Sequence, residues 1–411
     1  MAKESLIAGL DIGSAQVCCV AGIWDDSQKK VHIIEGKIVP CDGIKAGSVI
    51  DIQEASKSIE KAFNETEKVV NGQIDTAVLS LRGDFIESDS ASGTAQISRG
   101  DINESDIGSA MNAAEKSMNL PQGREVLQMI PKKYILDGKL NVVNPVGMEA
   151  VFIQLEACAF TAASVNLKNI LRAANSIKIN CSAVYSYTAA SEILWRKEEK
   201  ESGCLVVDFG GYTTGLVYYF GGILQYSDEI PIGSEHITMD LMRKLKTSRG
   251  EAERIKIEHG AAFCHPDKFQ NRDFDYIAAD AVTKAESSRQ EIVENAIMIR
   301  MDQILCYIAQ AVEKRMGAQS VPSNIILTGG GCRLELLTDA FEKFFDGIPY
   351  VRIGVPIDSK VSGKKEIITN PSYSSAIGAI HSLYSNYYAS PDNVSLRNSL
   401  SKIGVWLKER L

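Results

Sequence analysis

The sequence predicts an α/β protein made of two similar halves. A unit consisting of an apolar strand, an Asp-x-Gly turn and a second strand occurs at Asp11 and again at Asp208, so the two copies are 197 residues apart. This spacing is far too long for a solenoid repeat and favours duplicated domains. Small residues at helical spacing in Tyr187–Leu194 and Tyr373–Leu383 predict two helices that cross closely between the halves. The alternative is a pair of unrelated helices rich in alanine.

Length, composition and charge exclude several classes of protein. The chain has 411 residues, of which 45% are hydrophobic and 23% charged, and this composition fits a folded protein of two or three domains. The formal net charge of −8 argues against a protein that coats nucleic acid, because binding to many phosphates needs an excess of Lys and Arg. We find no secretion signal and no apolar run of about 18 residues, so we expect a cytoplasmic protein whose membrane contact is peripheral.

The nine cysteines and five histidines do not form the pattern of a structural metal site. There is no Cys-x-x-Cys pair, and the adjacent Cys264 and His265 have no further ligands at the usual spacing. Scattered cysteines inside apolar runs are typical of buried, reduced thiols, which also indicates the cytosol.

Two segments with different residue patterns are inserted into the two halves. Residues 81–162 are predicted to form a compact α+β insertion, with a helix at Asp106–Met118 and strands at Glu125–Met129, Lys133–Leu136 and Val151–Phe160. Residues 229–300 are predicted to be mostly helical. In that segment Ser248 precedes Glu251 by three residues, which is the spacing of a capping box at the start of a helix over Arg249–His259.

The two Asp-x-Gly turns predict a phosphate-binding site. Turns of glycine and small polar residues present backbone N–H groups that phosphate oxygens can approach closely. Asp11 and Asp208 are candidates to hold a hydrated Mg²⁺ and to position water. The candidate phosphate contacts are Gly13, Ser14 and Gln16 in the first turn and Gly210, Gly211, Tyr212 and Thr213 in the second. For either turn taken singly, the alternative is an ordinary hairpin.

Further residues extend the predicted site towards a nucleoside. The strand Asn324–Thr328 ends in three glycines, which leave a flat backbone surface for a purine and a ribose, or else make an ordinary tight connection. Glu253 and Lys256 lie three residues apart on the capped helix and are candidates to contact the ribose or base, the alternative being a solvent-facing ion pair. The remaining candidate contacts are Gly329, Gly330, Gly331 and Arg333. Neither a P-loop nor a strand-linked G-x-G-x-x-G is present, which excludes two other nucleotide folds.

Several motifs, in this order along the chain, carry a resemblance to a known family. They are Gly9–Ser14, Asn144–Gly147, Val206–Gly211, Ala252–Lys256 followed by His259-Gly260, Ile326–Gly331 and Ser372–Gly378. The two Asp-x-Gly hairpins, the two helices rich in small residues and the turn at Thr328–Gly331 resemble the five ATP-site motifs of the actin, sugar kinase and heat-shock chaperone superfamily. Asn144–Gly147 is found in few relatives of actin outside one family, and nearly the whole chain resembles that family, the FtsA proteins of bacterial cell division.

The resemblance implies an actin-like, two-lobed fold with duplicated α/β domains around a cleft that binds ATP with Mg²⁺. The second subdomain of actin is replaced by one in a different position, called 1C, which contacts neighbouring subunits. The implied division is subdomain 1A at 1–80, 163–202 and 363–386, 1C at 81–162, 2A at 203–228 and 301–362, and 2B at 229–300. Tyr212 departs from the family pattern, because a third glycine is usual there, so its side chain is expected to point away from the phosphates.

The resemblance also implies partners. Proteins of this family polymerise on the cytoplasmic face of the cell membrane at the division septum, bind the tail of the tubulin-like protein FtsZ, and help to recruit later divisome proteins. The FtsZ tail docks on subdomain 2B, where Arg300 is our candidate contact. At most a weak ATPase is expected, because no general base can be identified. Two alternatives remain open: a PilM-like scaffold of type IV pilus assembly, and a small-molecule kinase of the same superfamily.

The last 18 residues independently predict a membrane-binding helix over 394–411, behind a polar linker at 387–393. Apolar residues recur at helical spacing, a tryptophan flanks them, and four basic residues but only one acidic residue lie outside the apolar stripe. This pattern is typical of a helix lying on an anionic bilayer. The alternative is a helix that docks on its own domain or on another chain. The predicted membrane contacts are Leu396, Leu400, Ile403, Trp406, Leu407, Leu411, Arg397, Lys402, Lys408 and Arg410.

Overall fold

A computed structural model describes residues 6–388, except 26, 71, 98–99, 318–321 and 347–349. The predicted amphipathic helix at 394–411, with all of its proposed membrane contacts, lies outside the described residues. So does most of the predicted linker, although the last described helix continues to Tyr388. Among the described residues, no helix is both long and apolar enough to span a bilayer.

The first lobe begins with an antiparallel meander, a helix and a parallel strand. Its elements are β1 (Leu6–Ile12), β2 (Gln16–Asp25), β3 (Lys30–Pro40), β4 (Ile44–Lys45), β5 (Ser48–Val49), α1 (Ile52–Val70) and β6 (Ile74–Leu81). β1 is apolar and almost wholly buried because it lies between β2, antiparallel to it, and β6, parallel to it. The carboxyl ends of β1 and β6 therefore meet at one edge of the sheet.

The insertion folds around a small core of its own. It consists of β7 (Ile86–Gln96), α2 (Glu104–Ser117), β8 (Arg124–Leu136), β9 (Leu140–Val142) and β10 (Phe152–Ala163), with the sheet order β7-β10-β8-β9. Helix α2 lies against β7 at Gly93, where an added Cβ would come within 2.1 Å of the Ala114 nitrogen. Glycine at this position lets the helix pack closely on the strand.

The two strands predicted at 125–129 and 133–136 are one strand in the structure. β8 is continuous, but its register against β10 shifts by one residue next to Pro131, so that Lys132 is the extra residue. Proline has no N–H for the ladder, and such a bulge accommodates it within a strand. The apparent break in the sequence pattern is therefore a bulge.

The chain then returns to the first lobe and passes into the second. The returning elements are α3 (Ser164–Ala174), β11 (Asn180–Tyr185), α4 (Ser186–Glu192) and α5 (Lys197–Ser202). The second lobe starts with another meander and continues through helices and a small hairpin. These elements are β12 (Cys204–Phe209), β13 (Thr214–Phe220), β14 (Ile223–Ile230), α6 (Ser234–Leu245), α7 (Arg249–His259), β15 (Asp273–Ile277), β16 (Lys284–Ser288), α8 (Arg289–Ile292) and α9 (Met298–Met316).

The remaining elements complete both sheets. They are β17 (Asn324–Thr328), α10 (Leu337–Phe344), β18 (Tyr350–Ile353), β19 (Val361–Gly363), α11 (Lys365–Ile368) and α12 (Ser374–Tyr388). The first sheet has the order β11-β6-β1-β2-β3-β19 and the second β14-β13-β12-β17-β18. If the second order is reversed, β18-β17-β12-β13-β14 corresponds strand by strand to β11-β6-β1-β2-β3, and β19 is an extra strand of the first sheet. The predicted duplication is confirmed in the strand order.

The structure differs from the sequence-based expectations in three further places. The segment predicted as mostly helical also contains the antiparallel pair β15 and β16. The sequence also predicts a helix over 334–344 after the three glycines, but this helix begins only at Leu337, because a 3₁₀ turn at Gly330–Arg333 comes first. β19 pairs with β3 from Val361, two residues before the predicted start of the last segment of the first lobe.

The two helices rich in small residues, α4 and α12, cross as predicted. An added Cβ on Gly378 would lie 2.1 Å from the carbonyl oxygen of Ala189, so the two backbones are in direct contact. An added Cβ on Gly9 would lie 1.9 Å from the carbonyl oxygen of Ala376, so α12 also lies directly on β1. This close packing fixes the base of the cleft between the lobes.

Candidate functional site

A cleft of about 210 Å³ lies between the two lobes. The structure brings all of the predicted cofactor-binding residues to its walls, although they come from four separate parts of the sequence. They are Asp11, Gly13, Ser14, Gln16, Asp208, Gly210, Gly211, Tyr212, Thr213, Glu253, Lys256, Gly329, Gly330, Gly331 and Arg333. Their roles towards a ligand remain predictions.

The two Asp-x-Gly turns have the same backbone geometry. The N–H of Gly13 donates to the carbonyl oxygen of Gln16 at 3.1 Å, and the N–H of Gly210 donates to that of Thr213 at 3.1 Å. Neighbouring N–H groups in both turns make no hydrogen bond within the part of the chain that the structure describes, and are free for an anion. These groups belong to Ser14, Ala15, Gly211 and Tyr212.

The start of α6 supports the second turn. The N–H groups of Ser234 and Glu235 donate to the carbonyl oxygens of Gly210 and Gly211 at 2.9 and 2.7 Å. An added Cβ on Gly233 would lie 2.5 Å from the carbonyl oxygen of Gly211, so glycine is needed for this approach. The N-terminal end of α6, where the helix dipole favours negative charge, therefore borders the cleft.

Glu253 and Lys256 form an ion pair on α7, and this pair also lines the cleft. Their Oε2 and Nζ atoms are 2.7 Å apart, and the Lys256 side chain is only 11% exposed. Lys256 also donates to Thr238 at 2.9 Å, and Thr238 donates to Glu253 at 2.6 Å. Burial raises the pKa of Glu253, but the Lys256 ammonium lowers it, and the pKa lies below its ordinary value. The pair is therefore not the solvent-facing one considered as the alternative.

The hydroxyl of Ser248 caps α7 by accepting from the Glu251 N–H at 3.3 Å, which is one half of the predicted capping box. The Glu251 side chain accepts instead from Arg254 and from the Ile277 N–H.

The three glycines after β17 bring the second lobe against the first. Gly329 has φ +89°, and an added Cβ there would lie 2.4 Å from Oδ1 of Asp208. An added Cβ on Gly330 would lie 3.3 Å from Nε2 of Gln16, across the cleft. Both a left-handed conformation and a close approach thus require glycine at 329, and the flat surface expected from the sequence is present.

A buried arginine that the sequence analysis did not single out forms the floor of the cleft. Arg82 directly follows β6, and its side chain is only 10% exposed. Its Nη2 donates to Oδ1 of Asp11 and, at 3.3 Å, to Oγ of Ser375. Its Nη1 lies 3.5 Å from Oδ1 of Asp208. The guanidinium therefore stands between the two aspartates that the sequence predicted to hold Mg²⁺.

The charges in this cluster depend on one another. Burial opposes ionisation of Arg82, but Asp11 and Asp208 raise its pKa well above the ordinary value, so the guanidinium stays charged. Burial raises the pKa of Asp11, and Arg82 acts against this rise. Among the described residues, no group of three or more His, Cys, Asp or Glu side chains is arranged to hold a metal ion. Asp11 and Asp208 therefore belong to a salt-bridged cluster with Arg82, and their role towards Mg²⁺ stays a prediction.

Glu229, on β14, joins the second lobe to the first. Its Oε2 accepts from the N–H of Gly83 at 3.1 Å and from the hydroxyl of Tyr187, which also lies 3.0 Å from Oγ1 of Thr213. Burial raises the pKa of Glu229 to about 7, while Tyr187, Arg82 and the Gly83 N–H lower it and Asp84 raises it. This carboxyl group therefore links the start of the insertion, helix α4 and the second turn.

We expect Glu229→Gln to change how stability depends on pH. The unfolded chain loses this proton near pH 4.5 and the folded chain near pH 7, so in this window the unfolded state binds fewer protons and stability falls as pH rises. A glutamine cannot ionise, so the variant should be more stable than the wild type by about 2–3 kcal/mol above pH 7 and nearly equal to it at pH 4.5. Melting temperatures measured between pH 4.5 and 8 test this.

One opposing titration is common to both proteins. Burial lowers the pKa of His381 to about 4, so this residue makes stability rise with pH between about 4 and 6.5. It cancels when the variant is compared with the wild type. Parallel curves for the two proteins would contradict the assignment to Glu229.

Two further candidate residues have identifiable contacts. The Tyr212 ring lies 6.1 Å from the His236 ring, edge to face, at the border of the cleft. Arg300, the candidate partner contact, makes a bidentate ion pair with Asp240, with N–O distances of 2.6 and 2.9 Å, and also donates to Gln303. Arg300 thus ties α9 to α6, and its role towards a partner stays a prediction.

The two similar sheets, the crossed helices and the cleft between them define an actin-like fold. The PilM–PilN type IV pilus biogenesis complex resembles the chain with a TM-score of 0.63 and 16% identity, over 92% of this chain and 98% of that one. MreB5 of Spiroplasma citri bound to ADP has a TM-score of 0.53 and 12% identity, over 93% and 98%. The MamK double helical filament has a TM-score of 0.52 and 13% identity, over 92% and 98%. At these identities the likeness concerns the fold.

Sequence comparison narrows this class to one family. A family model described as "Cell division protein FtsA" matches residues 205–378, and one described as "SHS2 domain inserted in FTSA" matches residues 83–161, which is the β7–β10 insertion. The cell division protein FtsA of Borreliella burgdorferi is 30% identical over 92% of this chain and 91% of its own length. That of Neisseria meningitidis is 28% identical over 92% and 90%. The chain belongs to the FtsA family of cell division proteins.

Proposed function

We propose that this chain binds ATP in the interlobe cleft. One observation carries the proposal: two turns with the same closing hydrogen bond, Gly13 to Gln16 and Gly210 to Thr213, border one cleft and leave N–H groups free. Backbone N–H groups in such turns bind phosphate oxygens. The glycine surface at 329–331 fits a purine and ribose, and the pair Glu253 and Lys256 fits the ribose or base. One structure of the same fold is described as bound to ADP.

We further propose that the bound nucleotide is hydrolysed slowly or not at all. A general base needs a carboxylate that is free to accept a proton. The carboxylates that line the cleft are each within ion-pair distance of a cation: Asp11 and Asp208 of Arg82, Glu235 of Arg249 and Glu253 of Lys256. This pairing also argues against a small-molecule kinase, which would need a catalytic Asp in the cleft.

For the cellular role, we propose an actin-like division protein that polymerises on the cytoplasmic face of the membrane at the septum, tethers FtsZ to it and helps to recruit later divisome proteins. Family membership supports the division role, and one neighbour in fold is described as a double helical filament. Subdomain 2B remains the proposed dock for the FtsZ tail. The basic, amphipathic sequence at 394–411 supports binding to anionic lipid.

Co-sedimentation with anionic liposomes tests the membrane proposal. We expect the full chain to pellet as filaments with ATP, and a chain that ends at Asp392 to remain in solution. A matched variant, Trp406→Glu, keeps the full length but places a charge at the apolar face, and should bind lipid at least about ten-fold more weakly. If neither the full chain nor the truncation binds lipid or polymerises, the terminal segment is a docking element and the PilM-like scaffold becomes the better hypothesis.

A further inference from the structure

We propose that the guanidinium of Arg82 takes the place of a divalent cation between Asp11 and Asp208, so that nucleotide binding in this cleft does not depend on Mg²⁺. The inference rests on the proposed function, because it concerns the counter-ion of that same site. It differs from the expectation drawn from the family resemblance, in which the two aspartates hold the metal.

Several groups surround the Arg82 guanidinium and fix its position. The Arg82 side chain is held by Asp11 and Ser375 through Nη2, and by Asp208 at 3.5 Å from Nη1. The guanidinium also lies 5.5 Å from the centre of the Tyr187 ring, within range of a cation–π contact. Because the guanidinium is buried and contacted from several sides, we take it as a fixed component of the cleft.

The backbone at Arg82 is fixed as well. An added Cβ on Gly47 would lie 1.9 Å from the carbonyl oxygen of Arg82, so the loop between β4 and β5 packs directly on this residue. The next residue, Gly83, donates its N–H to Glu229 in the other lobe. The start of the arginine side chain therefore has little freedom to move out of the cleft.

The carboxylate oxygens that a metal would need lie close to Arg82 and Ser375. Oδ1 of Asp11 accepts from Arg82, and Oδ2 of Asp208 accepts from Ser375 at 3.2 Å. Oδ1 of Asp208 accepts no hydrogen bond from the described residues, but it lies 3.5 Å from the charged Nη1 of Arg82. A Mg²⁺ ion bound between the two aspartates would either displace the Arg82 guanidinium or lie next to it. In the second case the two positive charges would repel each other strongly, because little water is present to screen them. The one positive charge already present neutralises half of the charge on the aspartates.

At the position equivalent to Arg82, the second lobe has a glycine. Asp11 is paired with Ser80 across β1 and β6, and Asp208 is paired with Thr328 across β12 and β17. Two residues beyond these partners come Arg82 in the first lobe and Gly330 in the second. The first lobe thus has a guanidinium at the position where the second lobe has no side chain. The cation is therefore not part of the structure that the two duplicated lobes share.

The guanidinium is also placed to meet a phosphate. An added Cβ on Gly210 would lie 3.6 Å from Nη1 of Arg82, so this nitrogen borders the second turn. Arginine hydrogen-bonds phosphate oxygens strongly because its charge and its planar donors act together. Arg82 can therefore supply to a bound nucleotide the positive charge that Mg²⁺ would otherwise supply.

Calorimetric titration of the full chain with ATP, in Mg²⁺ and in EDTA, tests this. We expect the dissociation constants of the wild type to agree within about three-fold, whereas Arg82→Ser should lose about ten-fold or more in EDTA and recover with Mg²⁺. Arg82→Lys keeps the charge and should bind independently of metal, with lower affinity because the forked contact is lost. The wild-type comparison decides the matter even if a variant does not fold.

A second measurement needs no nucleotide. Mn²⁺ is added to the protein without nucleotide, and bound metal is detected by electron paramagnetic resonance. We expect no Mn²⁺ in the cleft of the wild type and one ion per chain in Arg82→Ser. The double variant Arg82→Ser with Asp208→Asn should lose this ion again. A wild type that needs Mg²⁺ for ATP, or that binds Mn²⁺ through Asp208, overturns the inference. Absence of ATP binding under both conditions is a different result: it refutes the proposed function, and the inference falls with it.

Discussion

Gly378→Ala is expected to lower the free energy of unfolding by about 3 kcal/mol or more, because its methyl group has no space between two backbones. The added Cβ would lie 2.1 Å from the carbonyl oxygen and 2.4 Å from the carbonyl carbon of Ala189, and neither belongs to a flexible side chain. Helices α4 and α12 would have to separate, and α12 also lies on β1 at Gly9. Thermal and urea denaturation of the purified protein measure the effect.

Gly250→Ala is the matched control for this substitution. Gly250 lies in the first turn of α7. Apart from its chain neighbours and the backbone of its own helix, no atom of the described residues lies within 4 Å of the position its Cβ would take. The same chemical change should therefore stabilise the protein by up to about 1 kcal/mol, since alanine favours the helix. If both variants lose or gain stability alike, the close crossing of α4 and α12 does not determine the stability of the fold.

The second large effect is expected in ligand binding. Lys256→Glu replaces the ammonium in the cleft by a second carboxylate beside Glu253 and removes the contacts of Lys256 with Thr238 and with the Ser234 carbonyl oxygen. We expect the affinity for ATP to fall by about 100-fold, or roughly 2.7 kcal/mol, because a tetra-anionic ligand then meets negative charge at partly buried positions. Titration with a fluorescent ATP analogue measures this loss.

Arg254→Glu provides a control with the same change of net charge on the same helix. Arg254 pairs with Glu251 at 2.7 Å and with Glu258 at 2.5 Å, and does not line the cleft. Its reversal should lower ATP affinity by less than about three-fold, since an exposed charge at a distance is screened by salt. Equal losses in the two variants would mean that the cleft beside Lys256 is not where the nucleotide binds.

Much of the candidate site could be predicted because its signals are local in sequence. A turn such as Asp208–Thr213 needs glycine and small residues within a few positions, and Ser248 caps α7 through a neighbour three residues away. The duplication was visible because each copy keeps the same strand–turn–strand order. These features depend on backbone conformation over short segments, which a sequence pattern records directly.

Arg82 and Glu229 could not be found in this way. Arg82 meets Asp11 across 71 residues, and the N–H of Gly83 meets Glu229 across 146. The one signal for Arg82 was a charged residue directly after the buried strand Ile74–Leu81, whose carboxyl end adjoins that of β1. By itself, that signal does not distinguish a buried ion pair from an exposed arginine at the end of a strand.

Sequence patterns are enough to predict the two similar halves, the phosphate-type turns, the capped helix and the glycine-rich contacts, because each follows from local backbone requirements and from burial patterns along one segment. The electrostatics of the cleft depend instead on contacts between distant parts of the chain. Whether Asp11 and Asp208 face a metal, water or a guanidinium depends on which distant side chain shares their desolvated space. In this protein that side chain is Arg82, brought between them because β6 lies beside β1 and the second lobe closes against the first.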